Sequence, residues 1–366
     1  MIQNNRILFI SHVDSLGGAE SVLLSVIKEI SKENECFVIS NNRGNGRFSK
    51  AIGNEYFIEK HTFGLLNASV LKSVLEFPFT LLTLIKLIKF VKEYNIDIIY
   101  SNTGVNILGI LLAKITGKKH IWHIHEQFGG IFNKRFNFLH KNLMKYNKNF
   151  NIYISDKIKN NWEENIGIFN SKVIRNPISI ILEKNKQKID YKKIKLGFAG
   201  SIVRNKNLIL ILKVLKKLKY TNDNFYLIIA GDGELKKDME IFCEKNNLKR
   251  NVEFCGNIEN MNNFYEKIDI LILPSFTEGV PLVALEAAAK EKLIIMTKNS
   301  GINEILQDSI DYISIDPNEV NSLYSVLLNI LKDNSICEQI SNNAFGKINE
   351  YLKNNNFGEE IRKVLK

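Results

Sequence analysis

Cysteine is scarce in this chain of 366 residues, and the four present, Cys36, Cys243, Cys255 and Cys337, are widely spaced. No C-x-x-C pair or Cys/His cluster occurs. That pattern excludes a disulfide framework and a structural zinc site, and reads as buried thiols in a reducing cytoplasm. Near the start, Arg6-Ile7-Leu8-Phe9-Ile10 reads as a first strand and not as a signal peptide. No sequence repeat is present. No nucleic-acid-binding module is recognisable, and aromatics are not interleaved with the basic residues, so nucleic acid is excluded as a partner. The longest apolar stretch, residues 69–94, is interrupted by Lys72, Glu76 and Pro78 and does not span a bilayer.

What remains is the composition of a globular protein, 45% hydrophobic and 24% charged, long enough for two domains. The net charge of +11 is uneven: residues 1–180 carry 23 Lys and Arg against 14 Asp and Glu, the rest 27 against 25. A basic first half suggests an acidic partner such as phosphates or lipid headgroups. Short apolar runs alternate with amphipathic stretches. Strands are expected at 7–11, 36–40, 96–101, 120–124, 152–155 and 173–174, with helices at 19–31, 69–94, 105–116, 134–148 and 156–165. After a polar, lysine-rich linker at 183–193 the alternation restarts. Strands follow at 195–199, 225–230, 252–254, 270–273, 293–296 and 312–315, with helices at 207–218, 235–245, 282–289 and 320–331. Residues 337–366 read as helix with polar interruptions. This alternation predicts an α/β fold of two Rossmann-like parallel-sheet domains, residues 1–182 and 183–349.

The segment Pro274-Ser275-Phe276-Thr277-Glu278-Gly279-Val280-Pro281-Leu282-Val283-Ala284-Leu285-Glu286 places two glutamates eight residues apart around a strand-to-helix turn. Glu278 belongs to a loop at the carboxyl end of a strand, where ligands bind in open α/β sheets. Pro281 suits a helix's first turn, and the free N–H groups there favour an anion. This stretch resembles the E-x7-E signature of the retaining glycosyltransferases of family four, enzymes of the two-domain GT-B architecture. Other matches follow in family order over about residues 7–310. Gly17-Gly18-Ala19-Glu20 opens the first helix, with glycines that permit conformations other residues avoid; as read from the residues alone, it is equally a plain turn. In Trp122-His123-Ile124-His125-Glu126 the two histidines share one strand face, and His125 fits the family's H-E pair. A metal on that face would need a third ligand, and none is identifiable. Gly200-Ser201-Ile202-Val203-Arg204-Asn205-Lys206-Asn207 resembles the family's Gly, Arg, Lys, Gly loop, but Ser201 stands where the family has arginine and Asn207 where it has glycine. Ala230-Gly231-Asp232-Gly233 and Phe254-Cys255-Gly256 resemble its G-D-G and F-x-G turns.

The resemblance implies a function. A nucleotide-diphosphate sugar, UDP- or GDP-linked, is the donor, and a glycan or lipid-linked molecule the acceptor, in surface polysaccharide or glycolipid synthesis. It implies that Glu278 and His125 face the transferred sugar. Lys206, with Ser201, Gly200, Gly279 and Val280, lies at the diphosphate; Glu286 holds the ribose and Gly256 borders the base. Arg204, from a position other than the family's arginine, is a further hypothesis for the same diphosphate. Gly17, Gly18 and Glu20 lie on the acceptor side, in an interdomain cleft. No cofactor or metal is implied, and no D-x-D turn sits at a strand end. The final helix, 350–366, is expected to return to the first domain. Basic amphipathic stretches at 69–94 and 134–148 (Lys134, Arg135, Lys141, Lys145 and Lys148 beside Phe136 and Phe138) predict peripheral binding to an anionic cytoplasmic membrane face. Two alternatives stay open: a non-catalytic partner in glycan assembly, for which Ser201 speaks, and a sugar-nucleotide epimerase.

Overall fold

The computed structural model describes residues 4–63, 70–128, 137–178, 182, 194–219, 224–298, 300–332 and 335–365. The chain forms two units, Met1–Pro177 with Asn355–Lys366, and Ile178–Asn354. The linker expected at 183–193 lies outside the described residues, as do Lys134, Arg135 and Phe136.

The first unit runs β1 (Arg6–Ser11), α1 (Gly18–Ile30), β2 (Glu35–Asn41), α2 (Arg47–Ile52), β3 (Phe57–His61), α3 (Val70–Glu93), β4 (Ile98–Asn102), α4 (Leu108–Thr116), β5 (Lys119–Ile124), α5 (Asn137–Met144), β6 (Asn149–Tyr153), α6 (Asp156–Ile166) and β7 (Ser171–Val173). Its sheet is parallel, ordered β3-β2-β1-β4-β5-β6-β7. A sheet covered on both faces has no polar face, so its central strands read as unbroken apolar runs. Ile7, Leu8, Phe9 and Ile10 are accordingly all fully buried. In α1, Val22, Leu23, Val26, Ile27 and Ile30 form one buried stripe. Gly109 lets α4 sit against β4, since a Cβ there would lie 1.9 Å from Ser101 Oγ.

The second unit runs β8 (Ile194–Ala199), α7 (Leu208–Lys219), β9 (Phe225–Ala230), α8 (Lys236–Lys245), β10 (Val252–Gly256), α9 (Met261–Lys267), β11 (Ile270–Leu273), α10 (Leu282–Ala289), β12 (Leu293–Thr297), β13 (Ile313–Ile315), α11 (Val320–Lys332) and α12 (Ser335–Asn354). Its parallel sheet is ordered β10-β9-β8-β11-β12-β13. Leu196, Phe198, Ile211, Val214, Leu227, Ile229, Ile272 and Ile295 form its core. The last helix, α13 (Phe357–Leu365), belongs to the first unit, as the resemblance implied. It packs on α1 with Ile361 fully buried. Arg362 pairs with Glu29, Lys172 pairs with Glu360, and Lys119 Nζ donates to the Val364 carbonyl at 2.8 Å.

Several elements differ from expectation. β3 was not anticipated: its strand is only partly buried throughout and carries no apolar run. α2 and α9 were too short for a periodic signal. The helix expected from 105 starts at Leu108, because Thr103 takes a left-handed conformation (φ 69°) and the chain turns before entering the helix. The final segment is two helices, not one interrupted helix. Pro78 lies inside a continuous α3. Pro281 stands at the cap of α10, one residue before its first helical position.

A close backbone approach in the second unit joins the loops after β8 and β9. Gly231 has φ +147°, and a Cβ there would lie 1.9 Å from the Gly200 carbonyl oxygen. Gly231→Ala is therefore expected to cost on the order of 3 kcal/mol through backbone strain and overlap with main chain. Gly346, exposed within α12 with nothing near its Cβ position, gives the contrast: Gly346→Ala should stabilise by up to about 1 kcal/mol. Thermal midpoints followed by far-ultraviolet circular dichroism check both, and a neutral Gly231→Ala would contradict the packing described.

Candidate active site

In each sheet the strand order reverses once, between β1 and β4 in the first unit and between β8 and β11 in the second. At such a reversal the two loops leaving the carboxyl edge diverge and open a crevice. The residues singled out from sequence concentrate at these two points.

In the second unit the loop after β8 forms a short 3-10 turn, Arg204–Lys206, and the loop after β11 carries Pro274–Glu278. Asn205 ties the two together. Its carbonyl accepts from Phe276 N at 2.9 Å, its Nδ2 donates to the Thr277 carbonyl at 2.9 Å, and its Oδ1 accepts from Thr277 Oγ1 at 3.2 Å. Asn207, left-handed at φ 53°, donates to the carbonyls of Pro274 (3.2 Å) and Pro317 (2.8 Å). Asn207 therefore fulfils the conformational task of the family's glycine with an asparagine, the residue that best tolerates this region after glycine. Held this way, the Lys206 ammonium pairs with Glu278 Oε1. The same oxygen accepts from the buried Ser275 hydroxyl at 2.6 Å. Lys206 closes the 3-10 turn, and the helix expected from 207 begins at Leu208.

Glu286 lies on α10, largely buried. Its Oε2 accepts from Tyr265 Oη at 2.7 Å, and burial raises its pKa against the opposing effect of that bond. Gly279 and Val280 fill the loop between the glutamates, the Gly279 carbonyl accepting from Gly301 N at 2.5 Å. Gly200 has φ +148° and lies beside the Lys206 side chain, 3.7 Å from a Cβ position to Cε. Gly256, at φ +65°, ends β10 facing open space, and its carbonyl accepts from Gly231 N at 2.7 Å. Ser201 and Arg204 are exposed.

In the first unit the loops after β1, β4 and β5 bring together His12, Glu20, Asn102, His123, His125 and Glu126. Glu20 is 3% exposed, its Oε1 3.2 Å from His12 Nδ1. Burial pulls the His12 pKa down, but the Glu20 carboxylate outweighs it and the net shift is upward. Glu126 Oε1 accepts from Gly104 N at 2.8 Å and Val105 N at 3.3 Å, and Oε2 from His125 N at 3.0 Å; burial nevertheless raises its pKa. The rings of His123 and His125 are 4.2 Å apart, as expected for one strand face. His123 Nδ1 bonds the Tyr100 hydroxyl at 2.7 Å, and burial lowers its pKa to about 3. His125 is also held well below the usual range, by burial and then by His123 and His12. The Nε2 atoms of both, with Asn102 Oδ1, Thr103 Oγ1 and Asn106 Oδ1, are buried without a hydrogen-bond partner. So many orphaned polar atoms at one sheet edge suit a polar ligand better than a packed core.

One reading needs correction. Gly17 caps α1 with an extended backbone (φ −105°), and neither it nor Gly18 takes a positive φ. What Gly17 provides is room: a Cβ would stand 3.0 Å from Glu20 Oε2. The histidine pair gains no third metal ligand, since no group of three or more His, Cys, Asp or Glu suited to a metal occurs among the described residues. Sequence reasoning missed Ser275, Asn205, Tyr265, Glu126 and His12. Ser275 and Asn205 lie inside quoted motifs, whereas Tyr265 lies on a helix that no periodicity announced.

Comparison with known proteins gives the same division. Residues 16–180 match the family described as Glycosyltransferase Family 4, and residues 179–347 the family described as Glycosyl transferases group 1. An alpha-1,4-N-acetyl-D-galactosaminyltransferase of Campylobacter jejuni, named for a PP-undecaprenol-linked glycan, is 26% identical over 93% of this chain and 92% of its own. A UDP-Gal:alpha-D-GlcNAc-diphosphoundecaprenol alpha-1,3-galactosyltransferase of Escherichia coli is 26% identical over 73% and 74%. Among solved structures, Anabaena HepE in complex with UDP-glucose superposes with a TM-score of 0.82 at 19% identity, covering 98% of this chain and 99% of its own. Sucrose-phosphate synthase from Thermosynechococcus elongatus does so at 0.78 and 13%, covering 99% and 98%.

The buried histidines make the first unit acid-sensitive. His120, lowered to about 4, and His123, lowered to about 3, both by burial, are neutral in the folded state and charged in the unfolded one below about pH 6.5. Each should cost on the order of 2 kcal/mol by pH 5, with His12, whose shift is opposite, offsetting part. Trp122 and Trp162, the two tryptophans of the chain, are both buried in this unit. The urea midpoint of tryptophan fluorescence is expected to fall between pH 7.5 and pH 5, and to fall less in His123→Phe; a flat midpoint would show these histidines to be protonated in the fold.

Proposed function

With one family matching each half and together spanning residues 16–347, the chain belongs to the glycosyl transferases group 1, with a glycosyltransferase family 4 first half, and from this premise we propose that it moves a sugar from a nucleoside-diphosphate sugar to a lipid-linked glycan acceptor. The observation that carries this reading is the second unit's crevice, where Lys206 and Ser275 both donate to one carboxylate oxygen of Glu278, with Glu286 farther along the same segment. Names of the Campylobacter and Escherichia relatives support an acceptor on a diphosphoundecaprenol carrier, and the latter supports UDP over GDP as the nucleotide. In this reading the first unit is the acceptor side and the second the nucleotide-sugar side.

The chemical task is to stabilise charge on a departing diphosphate and on the sugar carbon it leaves. In the proposed arrangement Lys206 turns from Glu278 to the diphosphate, and exposed Arg204 takes the part of the arginine that Ser201 replaces. The amides opening α10 near Gly279 and Val280 add partial positive charge. Glu278, released by Lys206 but still held by Ser275, accepts from donor-sugar hydroxyls. Glu286 accepts from the ribose, and the open backbone at Gly200 and Gly256 admits phosphate and base. His125, with its orphaned Nε2, is the first unit's candidate for the transferred sugar. Gly17, Gly18 and Glu20 serve the acceptor side. Retention of anomeric configuration comes from the family resemblance alone. No metal is invoked, because Lys206 supplies the countercharge.

We propose further that α3 meets an anionic membrane. Its described outer face exposes Phe79, Leu81, Leu82 and Ile85, followed by exposed Lys86, Lys89 and Lys92. On α5, Phe138 is 78% exposed beside Lys141. No helix among the described residues is long and apolar enough to cross a membrane, so this would be attachment at the surface.

Two measurements test these proposals. Glu286→Ala should weaken UDP-sugar binding about ten- to a hundredfold, and Glu278→Gln should lower turnover by about a hundredfold while leaving UDP affinity nearly intact. Wild-type kinetics in Glu278→Gln would refute its role. Cosedimentation with phosphatidylglycerol vesicles should fall on raising salt from 0.05 to 0.5 M (about a threefold shorter screening length) and further in Phe79→Glu/Leu82→Glu; binding indifferent to both would remove the membrane from the proposal.

A further inference from the structure

We infer that Tyr265 is the positioning residue that aims Glu286 at the donor nucleotide, by occupying one carboxylate oxygen and leaving the other to accept from the ribose. This rests on the reading of Glu286 given above and assigns a role to a residue on a different element.

Tyr265 sits on α9, and that helix is seated by a chain of close contacts. Gly197 in β8 makes the room: a Cβ there would lie 2.6 Å from Ile268 Cδ1 and 2.9 Å from Phe264 Cζ. Asn260 caps α9 by accepting from Asn262 N at 3.0 Å. Phe264 packs edge-on against Tyr265 at 5.4 Å between ring centroids. The Tyr265 ring is completely buried, so its hydroxyl has one fixed place to go. There it meets Glu286 Oε2 at 2.7 Å and, at a longer 3.3 Å, the Val283 carbonyl one turn earlier on α10. A hydroxyl has one proton, and the shorter contact, to the group able to carry charge, is the stronger.

The alternative is a tyrosine that merely fills space. A phenylalanine fills the same space, yet it would leave a partly buried carboxylate with no donor. The hydroxyl also bears on protonation. Burial raises the Glu286 pKa and the Tyr265 bond lowers it, while burial and Glu286 keep the phenol itself protonated and able to donate. A protonated Glu286 accepts poorly from ribose hydroxyls. Removing the phenol should therefore both loosen the carboxylate and move its protonation toward neutral pH.

The test is calorimetric titration of the full chain with UDP, with GDP and 2′-deoxy-UDP alongside, from pH 5.5 to 8.5, for wild type, Glu286→Ala and Tyr265→Phe. Thermal midpoints establish that each variant is folded. In Tyr265→Phe we expect UDP affinity about tenfold weaker near neutral pH, a smaller preference for UDP over 2′-deoxy-UDP, and loss of binding on acidification at a higher pH than in wild type. If Glu286→Ala loses affinity but Tyr265→Phe matches wild type across the pH range, the tyrosine is structural and the inference is wrong, while the ribose reading stands. If Glu286→Ala itself binds both UDP and GDP as wild type does, the reading of Glu286 fails and takes the inference with it.

Discussion

A parallel sheet delivers all its strands to one edge, and only where the strand order reverses do neighbouring loops part to leave space. That constraint locates the candidate sites of both units. At the β1/β4 reversal and the strand beside it, buried nitrogens and oxygens of Asn102, Asn106, His123 and His125 are left without partners. At the β8/β11 reversal it sets Lys206 against Glu278. The features around these points serve to keep the parted loops in register. Asn205 fastens one to the other, Asn207 takes the left-handed turn between them, and Gly200 and Gly231 allow two main chains to touch.

The two glutamates of the second unit sit in different electrostatic settings, and the difference suits the separate roles proposed for them. Glu278 carries a cation and a serine hydroxyl on one oxygen and sits on a loop. An arriving polyanion can compete for that cation, so the pair stores a charge that a phosphate can claim. Glu286 has no cation partner among the described residues and rests on a helix against a phenol. Its environment resists charge, which fits the hydrogen-bond-accepting role proposed for it better than an electrostatic one. A similar contrast holds in the first unit, where Glu20 faces an imidazole and Glu126 is consumed by backbone amides.

Much of this was legible in the sequence because parallel strands buried on both faces leave an unmistakable apolar run, as in Ile7–Ile10 and Ile270–Leu273. The motif loops were legible because their glycines and charged residues stand at the carboxyl ends of predicted strands, in the order of the family's motifs. What could not be read was contact across the sheet. Nothing in the order of residues says that Tyr265 reaches Glu286, that Asn205 holds Thr277, or that Glu126 turns inward to the amides of Gly104 and Val105, since each partner comes from a separate element. Half-exposed β3 and the short α9 were silent because neither has enough buried positions to establish a period. Gly17 was misread because glycine was taken to signal an unusual dihedral, whereas here it avoids the Glu20 carboxylate.

The return of α13 to the first unit has a consequence for synthesis. The ribosome completes the strands of that unit by Val173, yet the helix covering α1 emerges only after the whole second unit has been made. Until then α1 lacks the cover that Ile361 and its neighbours supply, and Glu29 lacks Arg362. The nascent first unit must therefore wait, collapsed but unsealed, through the translation of 178–354. A chain truncated before α13 would therefore keep its second unit whole and leave α1 of the first unit uncovered.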